Sequence, residues 1–171
     1  HVFTKLVNID ELVHSICNTC YKDSITFAIM FSREEQKQLN TEFWDRFRKK
    51  MRNHKSSNGR GINWINYPSD VKDVYIRLEA DSKGVRFCFD IQPKDDGIRS
   101  IIWEQMTELK VVMETEIGKA TGWNESDHQF NGRTVSRIVW EAPTLNFYNK
   151  KDHAAIETFL ESKLIHFDVF Y

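Results

Sequence analysis

The chain has 171 residues, of which 24 are basic and 25 acidic, so its formal net charge is −1 at pH 7. This balance argues against binding of nucleic acid or an anionic membrane by overall charge, and any such binding would need a local cluster of cations. No apolar run approaches the roughly 20 residues of a membrane span, and Asp10 and Glu11 interrupt any signal-peptide region. The three cysteines cannot build a disulfide framework, so we predict one soluble domain in the cytoplasm.

Two helices are predicted at the start of the chain. Residues 8–21 place apolar side chains at helical spacing. The second helix begins at Ser32, which forms a capping box with Glu35, and its apolar face continues to about residue 53. That face consists of Leu39, Phe43, Phe47 and Met51.

A three-stranded antiparallel meander is expected next. Residues 62–67 form its short first strand. Residues 74–80 and 85–91 alternate strictly between apolar and polar side chains, and Gly84 suits the turn between them.

The remaining segments predict a long helix, a hairpin and a final helix. Residues 97–117 carry a wide apolar stripe, with Asp95 and Asp96 at the favourable end of the helix dipole. Asn131-Gly132 is a strong hairpin signal, with a return strand at 134–142, and residues 152–168 form the last helix. The sequence therefore predicts an α+β fold, with long helices on one face of a mostly antiparallel sheet.

Five segments along the chain carry a family resemblance. They are Phe43-Trp44, the run from Asn63 to Tyr67, the run from Arg77 to Asp81, Glu116-Ile117-Gly118 leading to Trp123, and Ser136-Arg137-Ile138. Together they resemble the bacterial family named domain of unknown function 4268, especially its short stand-alone members from Bacteroidetes, over residues 30–171.

The resemblance implies a setting but no chemistry. Longer members carry the domain behind nuclease-like domains, which implies a nucleic-acid or bacterial defence context by association. No catalytic residues can be transferred. Similar short members begin at the position of Met30, so residues 1–29 are expected to be a helical extension, non-native or dispensable, and a chain starting at Met30 should melt at nearly the same temperature.

Two sequence patterns suggest a metal centre, but for each of them a structural role is the simpler interpretation. His14, Cys17 and Cys20 have zinc-ligand chemistry, but they lack a second half-site, and steps of three drift around a helix. A nuclease-like set would combine Asp70 or Glu79 with Asp90, Gln92 and Lys94, holding Mg²⁺ and a water. Because Gln92 is neutral and Pro93 bends the strand, we expect no metal-dependent cleavage of DNA or RNA.

The strongest functional signal is a run of cations near the end of the second helix. Clustered cations can contact phosphates, and an accessible aromatic ring can stack on a base. The alternative is a solvated helix end whose cations suit the helix dipole. The predicted nucleic-acid-binding residues are Arg46, Lys49, Lys50, Arg52, Lys55, Arg60 and Trp64, with Arg48 in the same stretch.

The five tryptophans could line a ligand pocket, although core packing is the simpler explanation. The sequence thus favours a non-enzymatic binding or accessory domain, with nucleic acid or another protein as partner and with no cofactor, metal or membrane. A divergent metal-dependent nuclease and a structural or dimerising module remain as alternatives.

Overall fold

The computed structural model describes residues 32–171, so the predicted helix at 8–21 and the cysteine pair within it lie outside the described residues. The chain divides into two units, His1–Gln38 and Leu39–Tyr171. Helix α1 covers Arg33–Met51. Its predicted capping box is confirmed, because the Ser32 N–H donates to Glu35 Oε2 at 2.7 Å and the Glu35 N–H donates to Ser32 Oγ at 3.1 Å.

A four-stranded antiparallel sheet follows, with the strand order β1-β2-β4-β3. The strands are β1 Val74–Asp81, β2 Gly84–Ile91, β3 Gly122–Phe130 and β4 Arg133–Ala142. The predicted hairpin of β1 and β2 is confirmed, and Ile76 lies opposite Phe89, which lies opposite Ile138 of β4. These residues share one face of the sheet because side chains alternate along each strand.

Both predicted turns have the backbone geometry that their residues favour. Asn131 and Gly132 have φ values of 50° and 72°, as a two-residue turn with right-handed twist requires. Gly84 has φ 140°, and a Cβ placed there would lie 2.9 Å from Pro143 Cα. A larger residue at position 84 would therefore strain the backbone and collide with the start of the next loop.

Helices cover the apolar face of the sheet. They are α2 Asp96–Glu108, α3 Lys110–Ile117 and α4 His153–Phe170, the last preceded by a 3-10 turn at Lys150–Asp152. The rings of Phe87 and Phe89 meet Phe167 of α4 at centroid distances of 5.5 and 5.8 Å. Helix α4 therefore packs directly against β2 on the apolar face of the sheet.

The predicted long helix at 97–117 is wrong in one respect, because Leu109 divides it into α2 and α3. Leu109 has φ −81° and ψ 0°, and its N–H bonds to the carbonyls of Gln105 and Thr107. The apolar stripe continues through this break, so side-chain periodicity did not reveal it. The N-terminal signal is confirmed, since Asp95 accepts a hydrogen bond from the Ile98 N–H.

The predicted first strand at 62–67 is also wrong, because this segment is an irregular loop. Asn63 Oδ1 accepts the Asn66 N–H at 3.3 Å, so a local turn takes a donor that a strand would give to its neighbour. The loop still packs on the core through Trp64, which is 3% exposed. Its aromatic character therefore reflects burial rather than strand pairing.

The predicted α+β class, with helices packed against an antiparallel sheet, is confirmed. Core packing accounts for the tryptophans: Trp64, Trp103 and Trp140 are buried, while Trp44 and Trp123 pack against the core from its margin. Within residues 32–171, no helix combines the length and apolar character needed to cross a membrane.

Candidate nucleic-acid interface

The end of α1 and the loop that follows it carry the predicted basic residues, but the structure divides them into two groups. Arg46 and Lys50 lie one turn apart and face α4. Arg46 Nε lies 2.6 Å from Glu157 Oε1, and Lys50 Nζ lies 2.6 Å from Glu161 Oε2. These two cations therefore join α1 to α4, and carboxylates of α4 offset their charges.

Glu161, the partner of Lys50 on α4, has a second basic neighbour. His54 Nε2 lies 2.8 Å from the second oxygen of Glu161. Burial raises the pKa of Glu161, but the hydrogen bonds from Lys50 and His54 outweigh burial and lower the pKa below its ordinary value. Glu161 thus remains ionised and neutralises its cationic neighbours.

A second group of cations is exposed and has no ion pair among residues 32–171. Its members are Lys49, Arg52, Lys55 and Arg60, and we call them the open cations. Arg48 is intermediate, since its Nη1 lies 2.5 Å from Asp45 Oδ1 while its side chain is 44% exposed. The open cations are the part of the predicted site that is available to an anion.

Buried contacts hold the loop that carries Lys55 and Arg60. The Ser57 N–H and the Tyr67 hydroxyl both donate to the carboxylate of Asp168 in α4, the latter at 2.6 Å. Burial, together with Asp168, raises the pKa of Tyr67 far above its usual value, which keeps the hydroxyl a proton donor. The loop is therefore positioned against α4 at both of its ends.

A groove of about 270 Å³ opens beside Arg48 and one of the open cations, Arg52. Arg48 lines it from α1, Arg52 directly follows that helix, and Asn63 contributes from the loop. The remaining lining is apolar and consists of Met51, Ile62, Trp64 and Ile65. Guanidinium and amide groups donate hydrogen bonds, so the three polar side chains of the groove can bind an anionic group such as a phosphate.

Trp64 does not belong to an exposed surface, contrary to the predicted site. It is 3% exposed, and its Nε1 donates to the carbonyl of His54 at 3.1 Å. A buried indole cannot stack on a base, because stacking needs an accessible ring face. The site that remains is cationic, without the predicted aromatic component.

The nuclease-like set lies partly within a network of charges on the second face of the sheet. Asp90 is fully buried and accepts two hydrogen bonds from Arg137, both at 2.7 Å, and one from Arg77 at 2.8 Å. Arg137 and Arg86 both form ion pairs with Glu79, and Arg86 also forms an ion pair with Asp81 at 2.6 Å. Alternating charges thus run across three strands.

This network neutralises the carboxylates that a metal would need. Burial opposes the charge of Arg137, but the hydrogen bonds to Asp90 raise its pKa above the ordinary value. Lys94 is exposed, and Gln92 Nε2 is buried without a hydrogen-bond partner. Among the described residues, no group of three His, Cys, Asp or Glu side chains could hold a metal ion. The arrangement gives the nuclease alternative no support.

The same network predicts how stability changes with pH. Burial raises the pKa of Glu79, but contacts with Arg86 and Arg137 outweigh it and lower the pKa below the unfolded value; Arg86 also lowers the pKa of Asp81. A lowered carboxyl pKa stabilises the fold above the unfolded pKa of about 4.3, and this contribution is lost as the pH falls through the folded value. We expect the urea midpoint to fall steeply below about pH 4.5.

The variant Glu79→Gln should show a lower urea midpoint at neutral pH but a shallower decline in acid, because it lacks one of these titrating groups. Glu104→Gln, at an exposed position of α2 without an ion pair in the described region, serves as the control and should follow the wild type. Parallel declines for Glu79→Gln and wild type would contradict this account.

The family model described as Domain of unknown function (DUF4268) matches residues 39–171. The chain belongs to this family. The match covers most of residues 30–171, the range over which the resemblance was predicted. It contains the whole sheet, α2 to α4, and most of α1. No curated protein and no solved structure matches the chain.

Sequence reasoning missed two structural groups that this family domain contains. The charge network was not predicted because a strand has the same sequence pattern whether its outward-facing polar residues are solvated or ion-paired. Arg77, Glu79 and Arg137 do lie in segments that carried the family resemblance. The Asp168 contacts were missed because they join residues separated by 101 and 111 positions.

Proposed function

We propose that this domain is a non-enzymatic binding module that contacts the phosphates of a nucleic acid through its open cations. One observation supports this proposal above all. Lys49, Arg52, Lys55 and Arg60 are exposed and unpaired within the described chain, although a nearby helix carries carboxylates that ion-pair with Arg46 and Lys50. A cluster of unneutralised cations on a slightly acidic protein provides a local electrostatic site.

The chemistry of the site defines the type of recognition. Phosphate contacts position a nucleic acid but do not identify its bases. Because Trp64 is buried, the interface lacks a stacking ring at that position, so a double-stranded ligand read by its backbone fits better than an unstacked single strand. We therefore propose backbone binding with little dependence on base sequence.

The cellular setting is proposed from the resemblance alone. It would place the chain among the short stand-alone members known from Bacteroidetes, in the bacterial cytoplasm and in a defence context. Residues 1–29 would be dispensable in that setting, and this remains a prediction.

Salt dependence of binding tests the proposal. A labelled DNA duplex of about 20 base pairs, titrated with the protein and followed by fluorescence anisotropy, should bind weakly and lose affinity steeply as salt rises. About four phosphate contacts predict a slope near −3 to −4 in a plot of log affinity against log salt. No binding at about 50 mM salt, or a slope near zero, would overturn the proposed function.

A further inference from the structure

Exposed apolar side chains are concentrated on one part of the molecule. Of the nine large hydrophobic side chains that are exposed in the described region, seven lie on α2, on α3 and its junction with α2, or at the end of α4. They are Ile98, Ile101, Leu109, Val111, Val112, Val169 and Tyr171, with exposed fractions from 41% to 76%. We call these seven residues the apolar face.

The apolar face extends the stripe that α2 and α3 turn toward the core. Met106 and Met113 are buried on the inner side of these helices, whereas Leu109, three residues after Met106, and Val112, directly before Met113, are 44% and 58% exposed. The stripe is therefore wider than the core beneath it. A helix needs a stripe of this width only when a second surface covers its outer half.

A groove gives the apolar face a defined shape. It has a volume of about 640 Å³ and lies between α3 and the end of α4. Apolar residues from both helices line it, including Val112 and Val169, together with Thr115 and Glu116. A side chain from a partner could enter this groove.

Carboxylates lie at the margin of the apolar face. Glu116 lines the groove, Glu108 lies one turn before Val112, and Glu104 follows Ile101 by three residues. None of these carboxylates has an ion pair in the part of the chain that is described. The apolar face shares no residue with the open cations, so it is separate from the proposed nucleic-acid surface.

We propose that the apolar face binds the apolar face of a second copy of this chain, forming a two-fold symmetric dimer. Seven half-exposed side chains present on the order of 500 Å² per copy, and their polar margins bring the contact near the roughly 800 Å² that each partner buries in a standard interface. A two-fold contact needs a single self-complementary surface, and an apolar stripe around a groove provides both a projection and a recess. Homodimer interfaces are also more apolar than transient ones, in keeping with this composition.

Sedimentation of the full chain tests this inference. Wild-type protein at about 100 μM should sediment as a dimer. Val112→Asp should raise the dimer dissociation constant by about 100-fold or more, because it places a charge in the buried centre of the contact. Since apolar burial stabilises the dimer, raising the salt concentration should not weaken it, in contrast to nucleic-acid binding.

The control is Ala155→Asp, which adds the same charge at an exposed position in the first turn of α4 and should leave the dimer intact. Circular dichroism melting verifies that both variants are folded, and Val169→Asp provides a second disruption on another helix. A monomeric wild type at about 100 μM would overturn the inference and leave the face to a different protein. A dimer that withstands both Val112→Asp and Val169→Asp would equally overturn it, by placing the interface elsewhere.

Discussion

Asp90→Ala is expected to lower the free energy of unfolding by about 3–5 kcal/mol, the usual loss when one partner of a buried ion pair is removed. Asp90 is fully buried, and Arg137 beside it is only 5% exposed. Without the carboxylate, Arg137 loses two hydrogen bonds in a buried environment, and the partly exposed Arg77 loses one. The penalty arises mainly from the buried guanidinium of Arg137, which keeps Glu79 as its acidic partner but loses Asp90.

Urea unfolding at neutral pH measures this loss. Asp90→Asn should be milder, since its amide oxygen still accepts a hydrogen bond. Glu141→Ala, an exposed position of β4 on the same face of the sheet, is the control and should stay within about 0.5 kcal/mol of wild type. A loss below about 1 kcal/mol for Asp90→Ala would show that the network is solvated rather than buried.

This expectation changes how catalytic tests on Asp90 must be interpreted. Loss of activity in Asp90→Ala would follow from unfolding alone. The nuclease alternative is better tested with Lys94→Ala, because Lys94 is exposed and its removal leaves the charge network intact. We expect neither wild type nor this variant to cleave DNA or RNA with a divalent metal.

Local patterns were sufficient to predict most of the fold. The alternation in β1 and β2, the Asn131-Gly132 turn and the capping box at Ser32 each depend on neighbouring residues, and each is confirmed. The errors have local causes too. At Leu109 the backbone departs from regular helical geometry although the apolar side-chain pattern continues. In residues 62–67 aromatic side chains pack into the core although the segment is a loop and not a strand.

The candidate site was harder to predict because its electrostatics depend on distant residues. Sequence alone identified the run of cations, but Glu157 and Glu161, which neutralise Arg46 and Lys50, lie more than 100 positions away. The burial of Trp64 likewise depends on the packing of its loop against the core. Only tertiary structure could separate the open cations from the paired ones.

The second large effect is expected from replacing three open cations together. The variant Lys49→Ala/Arg52→Ala/Lys55→Ala should reduce duplex affinity at about 50 mM salt by 100-fold or more, because each lost phosphate contact also removes the entropy of counterion release. Folding stability should change little, since exposed charges contribute little to it. Lys50 is left unchanged, because its removal would disturb the contact between α1 and α4.

A charge-matched pair of triple variants is the most direct test of the proposed interface. Lys83→Ala/Lys94→Ala/Lys119→Ala removes the same charge from exposed lysines outside the open cations. Measured over a range of salt concentrations, the open-cation variant should flatten the slope of log affinity against log salt to about −1, while the control keeps a slope near −3 to −4. Equal losses in the two variants would attribute binding to overall charge, and no loss in the open-cation variant would show that these residues do not contact the nucleic acid.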